Sequence, residues 1–105
     1  MNFRAFAKAV GANVRRARWA AEMTQEELAS KALTFRLLSQ LERGLGNPTL
    51  ETLHLLAAAL RVRVAELVDV PGDEAKGEPL ATRKLKPPRR GPKPKKKTAR
   101  RPIPS

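Results

Sequence analysis

The chain has no cysteine in its 105 residues, which rules out both a disulfide framework and thiolate chemistry. That absence is compatible with the cytoplasm. It has one histidine, His54, so a zinc site would have no ligand set to draw on. No apolar run approaches the roughly 18–20 residues of a membrane-spanning helix; the longest uncharged stretch near the middle, TLHLLAAAL, covers only 52–60. The opening segment, MNFRAFAKAVGANVRRARWAA, is broken by Arg4, Lys8, Arg15 and Arg16, so it carries no signal-peptide apolar region. An Arg-rich targeting peptide is set aside because the same segment supplies core positions. There is no phosphate-cradling glycine motif, no internal repeat and no alternating strand pattern, and GLG at 44–46 reads as a loop between helices. Glu26, Glu27 and Glu51 are accounted for as helix-start charges. No catalytic residue, metal, cofactor or small-molecule ligand is therefore expected, and the expected location is cytoplasmic and nucleoid-associated.

Acidic side chains are also few: ten Asp and Glu stand against 22 Lys and Arg, a formal charge of +12. The excess is lopsided. Residues 1–70 hold ten basic and seven acidic side chains, a net of +3, whereas 71–105 hold twelve and three, a net of +9. Eight of the nine prolines also lie beyond residue 70. The foldable unit is accordingly 1–70, and 71–105 is a tail rich in Pro, Lys and Arg. Such a balance points to an anionic partner, nucleic acid first and a membrane surface second.

Within 1–70 the apolar residues follow a helical period. Phe3, Phe6, Val10 and Val14 recur at steps of three and four, and Trp19 and Met23 roughly extend the stripe, predicting a helix over 3–21. Thr24 with Glu27 forms a capping box that opens a second helix over about 25–32, burying Leu28, Ala29 and Ala32. Thr34 caps again, and Leu38 with Leu41 predict a third helix over 35–42, stopped by Gly44. Pro48 suits the first turn of a fourth helix capped by Asn47 or Thr49, with a buried stripe of Leu50, Leu53, Leu56, Ala57 and Leu60. A last turn at 64–68 offers Val64, Leu67 and Val68. The fold class is all-α, with four to five short helices. The second and third are too short to be stable alone.

The segment TQEELASKALTFRLLSQLERGLGNPTLETLHLLAAAL resembles the helix-turn-helix domain of the Cro and lambda-repressor-like (Xre) transcriptional regulators. The likeness runs over about 10–68 and rests on the joint spacing of TQEELA, LSQLERG, NPTLETL and the AALRV that follows. It implies a compact five-helix DNA-binding domain whose third helix lies in the major groove with its N-terminal residues at the base edges. The chain departs from the pattern at one place. The stretch SKALTFRLL lacks the usual turn glycine and is one residue short between Ala29 and Glu42.

On that reading Phe35, Arg36, Ser39 and Gln40 are the candidate base contacts. A guanidinium can fork guanine O6 and N7, an amide can pair with adenine N6 and N7, and an apolar ring can pack on a thymine methyl. The rival placement for Phe35 is the core. Thr24, Gln25, Arg43 and Asn47 are the candidate phosphate contacts, Gln25 because a helix start is a ready anion site. The resemblance also implies an ion pair between Arg18 and Glu42, joining the first and third helices. Trp19 is expected in the core or at a helix edge, and His54 on the exposed side of the fourth helix.

The tail, TRKLKPPRRGPKPKKKTARRPIPS, cannot bury enough apolar surface to fold alone and is expected to be disordered. Its Arg89, Arg90, Lys93, Lys95, Lys96 and Lys97 are candidate DNA contacts. PRRGPKPKKK resembles an AT-hook but has Arg-Gly-Pro-Lys in place of the Arg-Gly-Arg-Pro core. A backbone-following arm and a plain solubilising or partner-binding tail are the other readings. The apolar residues Leu60, Val62, Val64, Leu67, Val68 and Val70 exceed the needs of a small core and suggest a homodimer through 60–70. The expected partner is double-stranded DNA, with no membrane. Two rival functions remain: a helix-turn-helix protein-interaction module that no longer reads DNA, and a nonspecific nucleoid-type or RNA-binding protein driven by the tail.

Overall fold

The computed structural model describes residues 1–72 and 79–89. The chain divides into two compact units, Met1–Ala75 and Lys76–Ser105. The first holds five helices: α1 (Phe3–Ala20), α2 (Gln25–Ala32), α3 (Phe35–Glu42), α4 (Leu50–Leu60) and α5 (Val64–Leu67). The described part of the second holds a single 3₁₀ turn, Leu80–Thr82, closed by Thr82 N–H and hydroxyl donating to the Pro79 carbonyl.

Each of α1 to α4 starts where the side chain of its cap residue can take an orphan amide. Asn2 Oδ1 accepts from Ala5 N–H at 2.8 Å, Thr34 from Leu37 at 3.1 Å, and Thr49 from Thr52 at 3.0 Å. At α2 the capping box is complete: Thr24 Oγ1 accepts from Glu27 N–H while Glu27 Oε1 accepts from Thr24 N–H. Thr49, not Asn47, caps α4, and Pro48 stands outside the helix, just before its cap. Gly44 ends α3 at φ +80°. Arg61 closes α4 in the left-handed region without being a glycine, at φ 60°.

α2 packs on α3 and α4, while α1 packs on α3, α4 and α5. Between them lie Val14, Leu28, Leu38, Leu41, Leu56, Ala57, Leu60 and Leu67. Gly11 lets α1 and α3 approach: a Cβ built there would stand 2.2 Å from the Leu41 carbonyl oxygen. The C-terminal turn is tied back to α1 by Asn13 Nδ2, which donates to the Leu67 and Asp69 carbonyls at 3.0 and 3.1 Å.

Several expected core positions are wet. Trp19 is 60% exposed, because at about 100° per residue it lies some 140° round the helix from Val14. Phe3 and Leu50, 57% and 77% exposed, are the first residues of α1 and α4. Ala29 and Ala32 are half-buried. The reverse holds at the end of the domain. Leu67 and Val70 are buried, as is Leu60, which the stripe of α4 already placed inside, leaving only Val62, Val64 and Val68 half-exposed on the segment expected to self-associate.

Candidate nucleic-acid interface

The connection between α2 and α3 is two residues long and uses no left-handed position. Leu33 is fully extended (φ −163°, ψ 179°) and Thr34 follows in the β region (φ −72°, ψ 155°). An extended conformation is open to any residue, so the turn dispenses with a glycine. Leu33 also packs its side chain against the core. The shorter spacing is thereby absorbed in the turn, and α3 still lies on α2 and α1.

α3 has one buried side, formed by Leu38, Leu41 and Glu42. The helical period places Arg36 and Gln40 opposite these, with Ser39 beside them. Arg36 and Phe35 are exposed, while Ser39 and Gln40 are half-buried. Phe35, 48% exposed, therefore stays out of the core. Leu37 is 53% exposed on the same helix, an outward position that the paired leucines of FRLL conceal in the sequence because only Leu38 turns inward.

Glu42 is the only charged or polar side chain buried among the described residues, and several donors converge on it. Arg18 Nε donates to Oε2 at 2.7 Å and Arg18 Nη2 to Oε1 at 2.9 Å. Gln25 Nε2 donates to Oε1 at 3.0 Å, and Arg15 Nε lies 3.8 Å from Oε1. Arg15 Nη2 donates to the Glu42 carbonyl at 2.8 Å, and Arg18 Nη1 to the Met23 carbonyl at 3.0 Å. Burial pushes the Glu42 carboxyl up, but the hydrogen bonds from Arg18 and Gln25 and the charges of Arg18 and Arg15 outweigh it and hold the group below the usual carboxylate range. The same hydrogen bond raises Arg18. The start of α2, the end of α3 and the last turn of α1 are thus fixed to one carboxylate.

This network changes the expected part of Gln25. Its side chain is turned to Glu42, so what it presents at the start of α2 is chiefly its backbone N–H, one of the first-turn amides without an intrahelical acceptor. Thr24, exposed, uses its hydroxyl oxygen as an acceptor from Glu27, which leaves the hydroxyl proton to be donated. Arg43 and Asn47 are both exposed beyond α3. Arg43 borders a shallow groove shared with Arg4 and Lys8 of α1. No local signal in the sequence joins Arg4 and Lys8 to Arg43. They meet because Gly44 brings the chain against Lys8, where an added Cβ would stand 2.7 Å from the Lys8 Cα. Of the tail candidates, Arg89 is described and exposed; Arg90, Lys93, Lys95, Lys96 and Lys97 lie outside the described residues. No helix is long and apolar enough to cross a membrane among the described residues.

The pattern of the helix-turn-helix family HTH_3 matches residues 14–67. Over 77 residues the chain is 46% identical to the uncharacterized HTH-type transcriptional regulator y4dJ of Sinorhizobium fredii, covering 72% of this chain and 95% of that protein. The fold is similar to that of the restriction-modification controller protein C.AhdI of Aeromonas hydrophila. That likeness has a TM-score of 0.59 and 33% identity over 60% of this chain and 97% of the other. It is also similar to the clp gene regulator ClgR of Corynebacterium glutamicum, with a TM-score of 0.59 and 32% identity over 61% of this chain and 83% of the other. With its matched pattern spanning all of α2 to α5, the chain belongs to the HTH_3 helix-turn-helix family, the Xre and lambda-repressor-like transcriptional regulators, which are not enzymes.

Proposed function

We propose that this DNA-binding regulator is sequence-specific and reads the major groove with α3. Arg36, Ser39 and Gln40 address base edges, with Thr24, the Gln25 amide, Arg43 and Asn47 on the flanking phosphates. The observation that carries this reading is the division of α3 into a buried side of Leu38, Leu41 and Glu42 and an outward side bearing Arg36 and Gln40. An eight-residue helix anchored on one side and presenting Arg36 and Gln40 on the other is shaped to enter a groove about 12 Å wide. The cationic tail adds sequence-independent attraction to phosphate, and the protein works at the nucleoid in the cytoplasm. Pairing into a dimer would place two such helices on half-sites about one helical turn apart. The surface left for pairing on 60–70 is the half-exposed Val62, Val64 and Val68.

Selection of bound duplexes from a random pool with the full chain tests the reading. The expected result is a consensus that survives random duplex competitor, with Arg36→Ala costing about 1–3 kcal/mol and relaxing preference at one position. Binding that random duplex abolishes at equal mass would leave only tail-driven association. Sedimentation at micromolar concentration reports the oligomeric state, and a monomer that remains one on DNA would remove the dimer.

A further inference from the structure

α3 keeps two large apolar side chains in solvent on the half that the proposed reading sends toward the bases. Phe35 and Leu37 are 48% and 53% exposed, whereas Leu38 and Leu41 on the inner side are 0% and 4% exposed. Exposed residues of this kind are ordinary when scattered. Here they are the first and third residues of an eight-residue helix, with Arg36 between them. Each position turns the side chain by about 100°, so Phe35 and Leu37 lean to opposite sides of the direction in which Arg36 points. Leu37 is backed by a shallow apolar depression that it lines with Leu33, Gln40, Leu45 and Pro48.

The major-groove edges of all four base pairs present hydrogen-bonding atoms, and the one apolar group among them is a pyrimidine C5-methyl, supplied by thymine in unmodified DNA. A hydrocarbon side chain gains by covering that methyl. Over a cytosine amine or a purine N7 it strips water from a polar atom and returns no hydrogen bond. We propose that Phe35 and Leu37 are specificity-determining residues that read pyrimidine C5-methyl groups on either side of the base pair addressed by Arg36. The inference rests on the base-reading role of α3 given above. It adds a sensitivity that hydrogen bonding cannot supply, because uracil offers the same donors and acceptors as thymine and lacks only the methyl.

The test uses the full chain and the duplex enriched from an unmodified random pool, with each thymine of the consensus replaced singly by uracil. Binding should weaken by roughly fourfold at one or two positions beside the Arg36-dependent base pair, the size of one methyl group withdrawn from water. Phe35→Ala and Leu37→Ala should each bring the thymine-to-uracil ratio to about one at one of those positions. Each side chain is about half exposed, so any shift in thermal unfolding should be small and should affect thymine and uracil duplexes alike, and the wild-type arm needs no variant at all. A parallel selection from a pool carrying 5-methylcytosine in place of cytosine shows whether methylated cytosine can supply the group, by moving into the thymine positions of the consensus. A selective consensus whose uracil versions all bind as tightly as the parent overturns the inference while leaving base reading intact. Failure to enrich any consensus removes base reading and the inference together.

Discussion

Arg18 and Glu42, 24 positions apart, meet fork to fork, with both guanidinium–carboxylate hydrogen bonds at or below 2.9 Å and the carboxylate almost wholly withdrawn from water. A pair this dry gains little net stability from its own attraction, because each charge gave up its hydration. What the pair does contribute is a fixed joint between α1 and the end of α3, with Gln25 held on the same oxygen as Arg18 Nη2.

Breaking one side of the pair should therefore cost far more than replacing both. Glu42→Ala leaves the half-buried Arg18 without its counter-charge and is expected to destabilise by up to about 3–5 kcal/mol, the cost of breaking a fully buried pair. Arg18→Met combined with Glu42→Leu should recover most of that loss. Urea unfolding of the two variants beside the parent measures the difference; equal losses would mean that the pair is worth its full attraction.

The same carboxylate makes stability depend on acid. Its folded value lies below the ordinary one, so its stabilising effect is fully present above the unfolded carboxylate range near about 4.3. That effect is lost as pH falls through the lower folded value. Melting temperature should hold from neutral pH to about 5 and then drop. In Glu42→Gln the acid-side drop should shrink, which a pH series of thermal melts would register.

Gly11 has little conformational work to do inside α1, and what matters there is the missing side chain. With a Cβ built 2.2 Å from the Leu41 carbonyl, Gly11→Ala should push α1 off α3 and destabilise by about 1–3 kcal/mol. This would occur despite alanine's better helix propensity. A gain in stability on denaturant titration would show that the interface can yield.

Arg61 sits where glycine is preferred, in the left-handed residue that closes α4, with its amide donating to the Ala58 carbonyl at 3.3 Å and the Val62 amide to Ala57 at 3.0 Å. Arg61→Gly relieves the Cβ strain and should raise stability by about 0.5–1 kcal/mol, part of the relief being offset by the freer unfolded chain. A lower melting temperature would mean that the arginine stem packs usefully.

Removal of residues 80–105 should flatten the log–log salt dependence of DNA binding by about 0.9 for each phosphate contact that the tail makes. Fluorescence anisotropy between low and moderate salt gives the slope directly. An unchanged slope would mean that the tail touches no phosphate.

The sequence by itself determined where helices begin and end, because capping and period are local. Thr24 with Glu27, Thr34 and Gly44 act on atoms a few residues away, and α2 and α3 run over the spans that these signals mark. It also determined the lopsided charge. The Arg18–Glu42 partnership was legible only by resemblance, since nothing local links positions 24 apart. Tertiary structure decided which apolar residues stay dry. Trp19, Leu50 and Phe3 look like core by type and remain wet, while Leu67 and Val70 look surplus and are buried. It decided that Gln25 turns to Glu42 instead of presenting its side chain, and that Leu33 makes in extended form a turn for which glycine was expected. Burial and hydrogen-bond choice depend on which distant atoms arrive at the same place, and only the packed chain brings them there.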